Sequence, residues 1–221
     1  MKTPFSNEEF FSVIEKYNTS VSPIQFVFSV LGMLMLWKLI SQKSKAGKFS
    51  GISTGILWLW MGVVYHLLFF TSINRVAFIF GSLFVLQGIF ILFETHFRNR
   101  FSSQTKQPFQ FYTGYFLAVY GIVLYPLINY FPEGSIAKTI AFGLPCPTTI
   151  FTFGLLLIYA KHLPRYLIII PTLWAFLGIS AALNFGVYQD FVMILAALIV
   201  NFWLLIQKSE LYKSPLKTVH K

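Results

Sequence analysis

Charge is the scarcest feature of this 221-residue sequence: 11% of its residues are Asp, Glu, Lys or Arg, and only seven are acids. A soluble domain carries about 25% charged residues, so an ordinary water-facing globular domain is excluded. Cysteine is almost absent. The single Cys146 rules out an intrachain disulfide, a C-x-x-C motif and any multi-thiolate metal site. What fills the chain instead is apolar, at 56% hydrophobic residues with 26 phenylalanines.

Seven stretches hold no charged residue at all: 17–37, 49–74, 76–93, 107–132, 139–160, 166–189 and 191–207. About 20 apolar residues at 1.5 Å rise cross a hydrocarbon core of roughly 30 Å, and each stretch has 17 residues or more. The stretches are continuously apolar, not alternating, which excludes a closed β-barrel. The expected fold class is therefore all-α: a polytopic transmembrane helix bundle, one domain over 1–221. Its seven spans are expected near 19–38, 52–72, 76–94, 111–130, 139–160, 166–185 and 190–207. Ahead of the first, Ser6 and Glu9 have capping-box spacing, and Phe10, Val13, Ile14 and Tyr17 share one helical face. That pattern predicts a short amphipathic helix over 5–17, an interfacial anchor or a lid. The acidic lead-in lacks the features of a cleaved secretory signal, so the first span is expected to be retained.

With seven spans, the basic residues separate by side. Lys38, Lys43, Lys45, Lys48, Arg98, Arg100, Lys106, Lys161, Arg165, Lys208, Lys213, Lys217 and Lys221 fall on one side, against Lys2, Lys16, Arg75 and Lys138 on the other. Lys and Arg favour the cytoplasmic side, which predicts an N-terminus outside the cytoplasm and a C-terminus inside. The net charge of +10 then reports topology and contact with the lipid bilayer, not nucleic acid. Lone small-residue spacings such as Gly178 and Ala182 read as packing. The intervals Trp58–Gly62–Asn74 and Trp174–Gly178–Asp190 are equal, a weak internal repeat that would place two polar corners at the outer face.

Polar groups at membrane depth mark functional candidates, and here they gather in the outer halves of the spans: His66, Asn74, Arg75, Tyr125, Cys146, Thr148, Thr149 and Asp190. Glu94, His96 and His162 lie near inner ends and read as cytoplasm-facing side chains. The most informative segment is Gly143-Leu144-Pro145-Cys146-Pro147-Thr148-Thr149. Pro147 reads as the first helical residue with Cys146 as N-cap. A helix from there to Ala160 has 14 residues, about 21 Å at 1.5 Å each, and so begins below the outer surface. A helix start offers free N–H groups that favour anions and thiolates, which makes Cys146 a candidate ligand or nucleophile. A proline-kinked helix with an inert cysteine is the plain structural alternative.

The runs Trp60-Met61-Gly62-Val63-Val64-Tyr65-His66-Leu67-Leu68-Phe69-Phe70 and Phe142-Gly143-Leu144-Pro145-Cys146-Pro147-Thr148-Thr149-Ile150-Phe151-Thr152-Phe153-Gly154, with Ile73-Asn74, the opening Pro4 to Phe10, and Trp174, Gly178 and Gln189-Asp190, carry a resemblance. The chain resembles a bacterial multi-pass membrane family of unknown function, DUF6064, over nearly its whole length. The P-C-P-T-T block is the specific part. The resemblance implies the bacterial inner membrane and brings no activity with it.

Three functions stay open. A membrane receptor or transporter would take a small solute or soft metal ion from the outer face near Cys146, with His66, Thr149 and Asp190 contributing; thiolate with imidazole suits Cu(I) or Zn, although Cys146 and His66 alone fall short of a ligand set. An intramembrane enzyme would use Cys146 as nucleophile, His66 as base and Asp190 as orienter on a lipid or acyl substrate. A helper subunit would have no chemistry. No cofactor and no oligomeric state is specified by the sequence.

Overall fold

In lipid every backbone N–H and C=O has to be bonded within the chain, and a helix does this locally; the apolar runs accordingly become helices. A computed structural model describes residues 4–41, 45–160 and 163–213. Lys2, Lys43, Lys161, Lys217, Lys221, His162 and His220 lie outside the described residues. In order along the chain come α1 (Asn7–Val21), α2 (Ile24–Ser41), α3 (Ala46–Ser72), α4 (Ala77–His96), α5 (Pro108–Glu133), α6 (Pro145–Ile158), α7 (Arg165–Phe185) and α8 (188–213), with a single 3-10 turn at Arg100–Ser102 between α4 and α5. Among the described residues the only β-type pairing is an isolated bridge between Phe142 and Leu144.

Five of these helices, α2, α3, α4, α5 and α7, are long and apolar enough to cross a bilayer; α6 and the apolar part of α8 (Tyr188–Trp203) are shorter. Their outer surface exposes Phe26, Val30, Trp37, Phe78, Phe116 and Leu183, an apolar cover that a soluble monomer does not carry. The first expected span is displaced. α1 runs on to Val21 and α2 starts only at Ile24, because Pro23 has no N–H to continue the helix.

α1 begins as its sequence dictates, with Ser6 Oγ accepting from the Glu9 amide while the Glu9 carboxylate accepts from the Ser6 amide. It exposes Glu8, Glu9, Ser12 and Lys16 and buries Val13, Ile14, Tyr17 and Asn18. Trp60 Nε1–H donates to the Tyr17 hydroxyl oxygen at 2.8 Å. Burial pushes the Tyr17 phenol up to about 12, the Trp60 bond being a smaller opposing effect, so this anchor keeps its proton at any physiological pH.

Two glycine seams set the helix spacing. Gly62 and Gly55 of α3 face Gly81 and Gly88 of α4, such that a Cβ on Gly62 would stand 2.8 Å from the Gly81 carbonyl oxygen. Gly114 and Gly121 of α5 face α6 in the same manner, with a Gly114 Cβ 2.7 Å from the Gly154 carbonyl oxygen. Small residues let helix backbones approach where there is no hydrophobic drive between helices in lipid. α5 also changes winding. A π-helical turn, Tyr120–Leu124, precedes Pro126, whose missing N–H leaves the Ile122 carbonyl without its usual donor. α3 has a longer π-helical stretch, Met61–Phe69.

These seams gather the bundle around α6. Every residue from Pro145 to Ile158 is buried except Cys146, and α6 packs on α5, α8, α7 and α3. A helix buried on all sides is apolar all round; it also need not match the bilayer thickness, which accounts for its 14 residues.

Candidate functional site

The chain ahead of α6 is non-helical and buried, and side chains satisfy its backbone. Asn18 of α1 donates to the carbonyls of Ala137 and Thr139 at 2.7 and 2.9 Å. The Asn129 side-chain oxygen accepts from the Ile140 amide, and the Thr148 hydroxyl accepts from the Gly143 amide at 2.9 Å. Gly143 has φ +100 and its absent Cβ would strike the Phe28 ring, so only glycine serves there. This segment delivers the chain to Leu144, the extended N-cap of α6. The helix therefore starts at Pro145, two residues before the expected Pro147, and Cys146 is the second helical residue and not the cap.

That shift changes the chemistry of the helix end. Pro145 and Pro147 occupy two of the first three positions, where an N–H would otherwise point outward, and the Thr148 amide is already bonded to the Leu144 carbonyl at 3.3 Å. The anion-binding donors expected of a helix start are thus largely removed.

Cys146 looks instead into a cavity of about 190 Å³ bounded by the head of α6, the C-terminal parts of α3 and α7, the starts of α4 and α8, and α1 as a roof. Phe5 and Phe10 come down from the roof; Phe10 stacks on Phe185 with centroids 4.6 Å apart, and Phe5 meets Phe70 edge-on at 5.5 Å. Tyr65, Phe80 and Trp174 line the wall, with Asn74 and Ser180 as polar points. On one side stands Asp190, 1% exposed. Its Oδ1 accepts the Tyr125 hydroxyl at 2.6 Å, whereas Oδ2 has no hydrogen-bond donor. The Cys146 thiol faces Asp190, Trp174 and Tyr125, yet neither the Trp174 indole N–H nor Asp190 Oδ2 completes a hydrogen bond.

The sequence-derived candidates divide. Cys146, Asn74 and Asp190 line the cavity, and Tyr125 supports it from behind. Asn74 and Asp190, the two corners of the weak repeat, meet in this one site. Asn74 also turns its own backbone, accepting from the Val76 amide at 3.0 Å. Arg75 is exposed, and the partner of Asp190 is Tyr125. Thr148 holds Gly143, and Thr149 is buried with its hydroxyl unbonded. His66 is fully buried among Tyr65, Phe70, Phe80, Phe84 and Trp174, and neither ring nitrogen has a hydrogen-bond partner. A hydrogen-bonded Cys–His–Asp triad is therefore not assembled. Among the described residues no group of three or more His, Cys, Asp or Glu side chains is placed to hold a metal ion.

Sequence reasoning underrated Glu94. It is 5% exposed, accepts a short hydrogen bond from the Tyr166 hydroxyl and lies 3.6 Å from Arg100 Nε. A buried Glu with basic residues just beyond the span end was the available signal. At the same end Gln87 donates to the Leu167 carbonyl and Gln110 to the Leu157 carbonyl, so these amides tie helix ends together.

Fold and site together define an all-helical protein of membrane-spanning character with a carboxylate-bearing cavity at one end. The chain belongs to a family of unknown function: the family model described as "Family of unknown function (DUF6064)" matches residues 7–213. No curated protein and no solved structure matches it.

Proposed function

We propose that this is a seven-span membrane protein that binds, and in its cell transports, a small solute entering from the outer face at the head of α6. In this reading α2 to α8 cross the bacterial inner membrane, α1 lies on the outer interface, and the C-terminus is cytoplasmic. The carrying observation is Asp190 Oδ2: a buried carboxylate oxygen without a hydrogen-bond donor, on a residue that lines a cavity also lined by Cys146, the one position of α6 that is not fully buried. An unsatisfied buried group costs about 1–3 kcal/mol, more if charged, and beside a cavity a bound ligand can offset that cost. The charge separation between loops supports the orientation. The missing third ligand directs the proposal to a solute and away from a soft metal ion.

A solute screen by thermal unfolding of the purified protein tests this, with Ala181→Phe as the control. Ala181 lines the cavity, so the added ring fills it. Solutes that raise the unfolding temperature of the wild type are expected to leave Ala181→Phe unmoved, since stabilisation follows occupancy. Equal shifts in both chains would place binding elsewhere and contradict the proposal.

A further inference from the structure

We infer that the solute is a small organic cation, an alkyl- or arylammonium group seated between Asp190 and the aromatic walls; this rests on the reading of the cavity as a solute site. The charges of the cavity point one way. Among the described residues its lining holds one carboxylate and no Lys, Arg or His. One oxygen of that carboxylate is bonded to Tyr125 and the other, buried beside the Cys146 thiol, has no hydrogen-bond donor. A carboxylate that ionises in a buried site is stable when paired with a cation, and among the described residues no cation lines the cavity.

An anion is disfavoured at the same spot for a local reason. Helix starts ordinarily attract anions through free amides, but Pro145 and Pro147 have none, and the Thr148 amide and hydroxyl are committed to Leu144 and Gly143. A bare metal ion lacks its ligands. What remains around Asp190 is a set of rings, Phe5, Phe10, Tyr65, Phe70, Trp174 and Phe185. Aromatic faces carry negative potential and attract ammonium groups, most strongly when water is excluded. A cavity of about 190 Å³ admits such a group with a few carbons attached, and the apolar walls suit the carbons.

Two pairs of probes separate charge from shape: choline against its neutral isostere 3,3-dimethylbutan-1-ol, and benzylammonium against benzyl alcohol. Binding to the purified full chain is measured by calorimetry for wild type and Asp190→Asn. At least one cation is expected to bind tenfold or more tightly than its neutral partner, with the preference lost in Asp190→Asn. Equal or tighter binding of the neutral partners, or a cation preference that survives Asp190→Asn, overturns the assignment and leaves the solute site standing. If none of the four binds at millimolar concentration the assignment is likewise overturned, and the screen against Ala181→Phe judges the site by itself. Should Asp190→Asn fail to fold, the comparison within each pair on the wild-type chain still decides.

Discussion

A chain carrying Gly154→Leu is expected to be strongly destabilised. The Cβ of any residue at 154 would stand within 3.0 Å of the Gly114 carbonyl oxygen and 2.9 Å from the Ala118 amide nitrogen. Both are backbone atoms, so no side chain can swing aside. The helices would have to separate, and α6 is enclosed by α3, α5, α7 and α8, which carries the displacement through the bundle. Overpacking costs about 1–3 kcal/mol and occasionally more; with backbone as the obstacle the upper end, about 3 kcal/mol or beyond, is expected. That is a large part of a total stability of about 5–15 kcal/mol. Phe116→Leu, on the exposed face of α5, is the matched control and is expected to stay within about 0.5 kcal/mol of wild type. Thermal unfolding and size-exclusion profiles of the purified variants measure both. A Gly154→Leu chain as stable as wild type would show that α5 and α6 do not approach this closely.

The second large effect is expected from Tyr125→Phe. It removes the hydroxyl that donates to Asp190 Oδ1 at 2.6 Å and leaves a carboxylate that is 1% exposed with only the weakly donating Cys146 thiol facing it. Stranding a buried polar partner costs about 1–3 kcal/mol, and more for a charged one. The signature lies in the coupling. In an Asp190→Leu background the same Tyr125→Phe change is expected to cost far less, because no carboxylate is left to strand, and a double-mutant cycle on unfolding free energies reads the difference. Additive losses would mean that the two side chains matter only through packing.

Much of this arrangement was legible in the residues. Helices stand on all seven apolar runs, five of them long and apolar enough to cross a membrane, and Ser6 and Glu9 close their capping box because each side chain reaches the other's amide. The break before α6 was also legible, and so was its shortness. Its starting residue was not. The first amides of a helix have no partner within the helix, so a proline at the first or the third position costs no hydrogen bond, and two prolines two apart leave the start undecided between Pro145 and Pro147. Leu144, extended ahead of Pro145, resolves it.

The site was half legible for a different reason. Polarity at depth identified Cys146, Asn74, Tyr125 and Asp190, but it also marked His66, Thr148, Thr149 and Arg75, since a residue's type carries no direction. Which of them face a common space depends on α1 folding back as a roof and on π-helical turns that rotate the faces of α3 and α5. Neither can be read from a period of 3.6. The glycine seams escaped notice too: Gly55 and Gly62, Gly81 and Gly88, and Gly114 and Gly121 recur every seven residues, yet only the facing helix shows that each repeat meets another backbone.

Alkylation of Cys146 by a membrane-impermeant maleimide reads which side of the membrane the cavity faces, because the chain's only cysteine lines it. Labelling is expected from outside intact cells and not from the inner face of inverted vesicles. Labelling is expected to be faster when Phe10→Ala opens the roof. Labelling from the inner face alone, or only after the protein is unfolded, would contradict an outward-facing cavity at the head of α6.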